Sequence, residues 1–319
     1  MQHNFARPAG IFVSLLAVCA LAAGCGGSSP GVAPDAGASS GAIVAVGAEN
    51  EYANVIEQVG GPYVRVSAIE SNPNTDPHTF EASPSVAQVV GEARLVVQNG
   101  VGYDTYMERI ESASGGVGSN SSRRVIDVQK LLGLPASTPN PHLWYKPQTM
   151  PVVAGAIAAD LSALAPAHAA YFQAAAARFE QSLTPWDHEL KRFAAEYPNT
   201  PVATTEPVGD YLLEAAGADI LTPFGLQADV MNGVDPAPQA VTLQNGLLSG
   251  RKVKVFLYNQ QVTDSLTQTF LAAAKRAGVP VVGVYETMPT PGYDYQSWML
   301  AEVRALRRAV AEQVSTQKL

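Results

Sequence analysis

Past residue 41 the chain alternates short apolar runs with longer stretches whose apolar positions recur every three to four residues. AIVAVGA (42–48), YVRVSAI (63–69), LVVQNG (95–100) and RVIDV (124–128) read as strands. EYANVIEQVGG (51–61) reads as a helix stopped by glycine, and Pro84 stands where the first turn of a helix accepts proline, with Ser83 as its cap. From about 151 to 197 the chain is alanine-rich, includes AAYFQAAAARFEQSL and carries no strand pattern, which predicts a long helical region. Pro185 interrupts it, with Thr184 placed to cap a restarted helix. Alternation then resumes. The strands are PVATT (201–205), VKVFLY (253–258) and VPVVGVY (279–285), and the helices lie around 209–216, 265–277 and 297–314. Strands alternating with helices predict an α/β chain of two lobes, each a mostly parallel sheet flanked by helices, joined by a long helical linker. No solenoid-type repeat is present.

Composition narrows the class. Hydrophobic residues make up 47 % and charged residues 15 %, a balance that excludes a disordered chain. A net charge of −8 without a basic block argues against a nucleic-acid partner. Arg7 alone precedes the apolar run IFVSLLAVCALAAG (11–24), which is short of the roughly 20 residues a bilayer span needs and ends in small residues. This is the layout of a secretory signal. Cys25 follows directly, and GGSSPGVAPDAGASSG after it has the composition of a flexible tether. Ala22-Ala23-Gly24-Cys25 resembles the lipobox of bacterial lipoproteins, with alanine where leucine is more usual. The resemblance implies diacylglycerol on Cys25, removal of residues 1–24 and a tether over 25–40. Cys19 leaves with the signal, so no disulfide is expected. The folded part then divides into an N-terminal α/β lobe (41–165), a linker helix region (166–197) and a C-terminal α/β lobe (198–319).

Histidine is scarce, and two of the five occur in Pro-His dipeptides, in TDPHTFEASPS (75–85) and TPNPHLWYKP (138–147). His78 and His142 each follow a strand and a turn-rich loop. In an open α/β sheet that is the crevice where ligands bind, and neutral imidazole there is a common metal ligand. His168 and His188 sit on the helical region beside polar neighbours and read as solvated. Trp144, Tyr145 and Trp298 read as packing near the crevice, and Asn259 and Gln260, at a strand end, as caps of the adjacent helix or, alternatively, as partners of the metal ligands. The chain has no HExxH, GxSxG or P-loop.

DPHTFEASPS and NPHLWYKP resemble the histidine boxes of the metal-binding receptors of bacterial ABC importers for zinc and manganese. HAAYFQAAAARF (168–179) resembles the start of that family's long connecting helix. The likeness runs from 42 to about 311. It departs from the family pattern at Ala82 for proline, at Asn140 for aspartate and at Lys146. It implies a solute-binding receptor, not an enzyme, in which each lobe donates two metal ligands. His78 and His142 are the first pair. Glu206, in ATTEPVGDYLLEAAG (203–217), matches the third. Glu286 stands near the fourth position, where the family has aspartate, with Asp294 and Asp210 in reserve.

The resemblance further implies an extracytoplasmic monomer, lipid-anchored to the cell membrane, that captures a divalent transition metal and delivers it to an ABC permease. Two carboxylates and no histidine in SASGGVGSNSS (112–122) favour manganese slightly over zinc. Two other classes use the same residues. A secreted metal-dependent hydrolase would need an open metal position for water, and a receptor for a small organic solute would use the histidines only as hydrogen-bonding groups.

Overall fold

The computed structural model describes residues 41–114 and 123–319. The signal, the lipid site at Cys25 and the tether fall outside the described residues, as does most of the loop 112–122. No helix among the described residues is long and apolar enough to cross a membrane.

In the first lobe β1 (Ile43–Glu49), α1 (Asn50–Gly60), β2 (Val64–Glu70), α2 (Pro84–Glu92), β3 (Leu95–Gln98), α3 (Thr105–Ser114), β4 (Arg124–Asp127) and α4 (Val128–Leu131) follow in order. Three helices follow: α5 (Thr149–Leu164), α6 (Ala169–Ser182) and α7 (Thr184–Glu196). The second lobe is β5 (Pro201–Thr204), α8 (Asp210–Ala215), β6 (Asp219–Ile220), α9 (Phe224–Met231), α10 (Pro238–Ser249), β7 (Val255–Asn259), α11 (Ser265–Ala277), β8 (Val281–Val284) and α12 (Tyr295–Glu312).

Each sheet has four parallel strands in the same spatial order, β2-β1-β3-β4 and β6-β5-β7-β8. The fold class expected from the sequence is the one found. The two-residue β6 and the helices α9 and α10 have no distinct counterpart in the hydrophobic pattern. Each sheet order reverses between its first and third strands, the switch point where open α/β sheets leave a crevice at the strand C-terminal ends.

The lobes share one core. A continuous apolar cluster takes Ile43 and Val55 from the first lobe, Ile157, Phe172 and Trp186 from α5, α6 and α7, and Val255, Val282 and Trp298 from the second. Helix α6 packs on α5 and α1, whereas α7 packs on α12. At the junction Pro185 has no N–H for the Gln181 carbonyl, and the Thr184 hydroxyl takes that place at 2.7 Å. The helical pattern resumes when Asp187 N donates to Leu183 O at 3.1 Å. Thr184 thus repairs the helix from inside; the residue flanking both helices is Leu183, which contributes no side-chain cap.

A second tie between the lobes runs along α1. Asn50, Asn54 and Gln58 recur every four residues and so share one face of the helix. Asn54 Oδ1 accepts from Tyr295 N at 3.0 Å, while Gln58 and Gln296 exchange amide hydrogen bonds of 2.8 and 3.0 Å. His168, expected to be solvated, is half-buried and stacks on Tyr63 with ring centroids 3.9 Å apart; His188 is exposed.

Candidate metal centre

The strand ends of both lobes converge on one buried carboxylate. Glu286 follows β8 and is fully buried. Its Oε2 lies 2.9 Å from His78 Nε2, 3.1 Å from His142 Nε2 and 2.9 Å from the Tyr103 hydroxyl. His78 comes from the loop after β2, Tyr103 from the loop after β3 and His142 from the long segment after β4. His78, His142 and Glu286 offer ligand atoms within 4.8 Å of one another, the one such trio of histidine, cysteine, aspartate and glutamate side chains among the described residues.

Glu206, after β5, stands one hydrogen bond outside that trio. Asn259 Nδ2 donates to Glu286 Oε1 at 2.6 Å and to Glu206 Oε1 at 3.1 Å. Glu206 Oε2 is buried without a partner. The two reserve residues have other work. Asp294 caps α12, its Oδ1 accepting from Ser297 N at 2.9 Å, and both Asp210 oxygens accept from Gln227 Nε2 at 2.9 and 3.0 Å.

Local structure explains how each ring is aimed. Asp76 caps a single 3-10 turn by accepting from His78 N at 2.8 Å. Asn140 Oδ1 accepts from both His142 N, at 3.0 Å, and His142 Nδ1, at 2.8 Å. The carbonyl side of that amide takes the Nδ1 proton and turns Nε2 to the site, where a bound metal would meet its lone pair. Asn140 Nδ2 donates to the Pro207 carbonyl at 2.7 Å, tying the His142 segment to the Glu206 loop. Trp144 packs edge-on against His142 and Tyr103. A cavity of about 310 Å³, lined in part by His78, Tyr103, Arg109 and Asn232, borders the half-exposed side of the site.

The electrostatics favour a cation. Burial alone would raise the Glu286 carboxyl, but the two imidazoles hold it well below its usual range. Burial works to lower His78, yet the Glu286 carboxylate outweighs it and the net shift is upward. Burial lowers His142, its contact with Glu286 works the other way, and the net shift is downward. Burial, reinforced by Glu286, pushes Glu206 well above the usual carboxylate range. A divalent cation at this point would meet two imidazole nitrogens and at least one carboxylate oxygen, a donor set suited to first-row metals.

The sequence pattern of the family described as "Zinc-uptake complex component A periplasmic" matches residues 46–309. The chain belongs to this family. Members of the family are solute-binding proteins and not enzymes, the class that the histidine boxes imply. The periplasmic zinc-binding protein TroA from Treponema pallidum has the same fold, with a TM-score of 0.70 at 18 % identity over 86 % of this chain and 100 % of that one. A Mn-bound periplasmic metal-binding protein from Candidatus Liberibacter asiaticus gives 0.66 at 18 % identity over 84 % and 99 %. A curated relative from Thermotoga maritima, provisionally named a metal-binding protein, is 29 % identical over 98 residues, 31 % of this chain. That shared stretch spans about a third of the relative's own length, 33 %.

Tyr103 and Gln261 carried no signal in the sequence, and of the two readings of Asn259 the contact with the ligand residues holds and the helix cap does not. The cap of α11 is Asp264. A polar residue at the last position of an internal strand, beside the crevice, was the available cue.

Proposed function

We propose that this receptor binds one divalent transition metal through His78, His142, Glu206 and Glu286 and delivers it to an ABC permease, with manganese favoured slightly over zinc. The reading rests foremost on His78, His142 and Glu286 meeting within 4.8 Å at the seam of the two lobes. Glu206 is the natural fourth donor, because its Oε2 is buried and has no other partner. Four protein donors would close the coordination sphere, which suits carriage rather than hydrolysis. The balance of two carboxylates against two imidazoles is the reason for placing manganese first.

The same reading divides the chain into a signal (1–24), a tether lipidated at Cys25 (25–40), an N-terminal lobe (41–165), a linker region (166–197) and a C-terminal lobe (198–319), acting as a monomer. Calorimetric titration of metal-free protein with Mn²⁺ and with Zn²⁺ tests the site. One metal per chain is expected, lost in His78→Ala. Absence of binding, or undiminished binding in that variant, would refute the assignment.

A further inference from the structure

We propose that Asn259 is the positioning residue of this site: a single amide nitrogen yoked to both carboxylates and braced by Gln261, which sets the spacing of Glu206 and Glu286 before any metal arrives. The inference rests on the four-ligand reading above and adds to it the residue that aims two of the ligands.

The geometry is specific to an amide. A primary amide nitrogen carries two hydrogens, and Asn259 spends one on each Oε1, at 2.6 Å for Glu286 and 3.1 Å for Glu206. Both Oε2 atoms stay free of it. That of Glu286 faces the two imidazoles and Tyr103, and that of Glu206 has no partner. The amide is neutral, so it brings two buried carboxyl groups together without placing a positive charge of its own in the site. A lysine in the same place would occupy the site as a resident cation.

The orientation of the amide is fixed from behind. Asn259 Oδ1 accepts from Gln261 N at 3.0 Å, and the opposite flip would set that oxygen against two carboxylate oxygens. Asn259 N donates to Thr205 Oγ1 at 3.0 Å, which holds the end of β7 against the residue preceding Glu206. Gln261 then reaches the remaining loops. Its Oε1 accepts from Glu286 N at 2.7 Å and Thr287 N at 2.8 Å, while its Nε2 donates to the Thr75 carbonyl at 2.7 Å and to Thr287 Oγ1 at 3.1 Å. Thr75 belongs to the loop that bears His78. Asn259 and Gln261 together therefore touch the segments carrying three of the four ligands. Partners that orient ligands in this way typically change metal affinity by about 10–100-fold when removed.

The test uses the full chain stripped of metal and titrated with Co²⁺, Mn²⁺ and Zn²⁺. Asn259→Ala removes both donors, and Asn259→Asp keeps the shape while replacing the donors by a third acceptor. Each is expected to bind one metal per chain with affinity lowered by about 10–100-fold. The visible absorption of the Co²⁺ form should also change, because the carboxylates take up a different geometry; a residue that merely filled space would leave that spectrum alone. Gln261→Ala, which only releases the brace, should give a smaller loss in the same direction and carries the test if an Asn259 variant fails to fold. His142→Ala serves as the control. If it loses metal while the Asn259 and Gln261 variants keep the wild-type affinity and Co²⁺ spectrum, the positioning role is overturned and the ligand set stands. If His142→Ala itself binds as the wild type does, the ligand set fails and the positioning role falls with it.

Discussion

Asn50 and Met288 form a two-way hydrogen-bonded pair across the lobes: the Asn50 amide donates to the Met288 carbonyl at 2.9 Å and accepts the Met288 N–H at 2.9 Å. Both residues are buried, so Asn50→Ala leaves a peptide donor and acceptor of the second lobe without partners. Such a loss costs on the order of 1–3 kcal/mol for each buried group left unmade. The metal-free variant should therefore melt several degrees below the wild type by calorimetry. An unchanged melting temperature would mean that the Asn50–Met288 pair contributes nothing to holding the lobes together.

Asn140 supplies a second inter-lobe tie, and there the departure from the family's aspartate has a use. Its oxygen orients His142 while its nitrogen donates to the Pro207 carbonyl, a bond that no carboxylate can make. Asn140→Asp should destabilise the metal-free protein, because a buried carboxylate then faces a carbonyl oxygen. The aspartate would also make the His142 ring more basic. Chemical denaturation of the two forms, without metal, reads the first effect; equal midpoints would refute it.

The pH dependence of the metal-free protein follows from the direction of its buried shifts. Burial raises Glu51 to about 8 and Glu70 to about 9, and burial with neighbouring carboxylates raises Glu49 as well. Raised folded-state values mean that the native protein holds protons the unfolded chain has already lost. Stability from these groups is complete below the unfolded carboxylate range and is lost as pH rises through the folded values. His78, also raised, acts in the same sense from a higher starting point. Glu286, lowered, contributes the opposite slope only at more acidic pH, and His142, lowered by burial, opposes the trend up to its unfolded value, one group against several raised carboxyls. Melting temperature should thus fall steadily between about pH 5 and pH 9. A rise over that window would contradict the assignment of neutral buried carboxyls.

Most of the fold was legible because its signals are local. Alternating periods, Ser83 before Pro84 and the glycine after α1 each act within one turn of chain. The elements that escaped are those whose existence depends on neighbours. β6 has two residues and pairs only because β5 lies beside it. His168 looks solvated along the helix and is covered by Tyr63 from another segment. The site shows the same division. His78, His142 and Glu286 stand next to strand ends, which the alternation locates. The yoke of Asn259 joins loops separated by 53 and 27 residues in sequence; its strand-end position signals nearness to the crevice but not which carboxylates it joins.

Cys25 lies beyond the described residues, and its role rests on the Ala-Ala-Gly-Cys sequence and the tether after it. Cys25→Ser should move the protein from the membrane fraction to the soluble extracytoplasmic fraction with an unchanged circular dichroism spectrum. Retention in the membrane would rule out the lipid anchor.

The carboxylates separate the proposed ligands from their reserves. Glu286 meets both imidazoles directly, so Glu286→Gln removes a donor and the charge that sustains the raised His78. Metal binding should then be nearly abolished. Glu206 reaches the trio through Asn259, and Glu206→Gln keeps its shape while exchanging a strong oxygen donor for a weaker one. Its loss should be smaller, and larger for Mn²⁺ than for Zn²⁺, because the harder cation depends more on carboxylate oxygen. Asp294→Asn should leave affinity unchanged, since asparagine caps a helix about as well as aspartate and this side chain serves α12. Titrating the three variants with both metals orders them directly. If Asp294→Asn lost metal while Glu206→Gln did not, the fourth donor would lie on the α12 side of the seam. If Glu206→Gln and Glu286→Gln both bound as the wild type, no metal would bridge the lobes, and the mode of capture would have to be sought elsewhere.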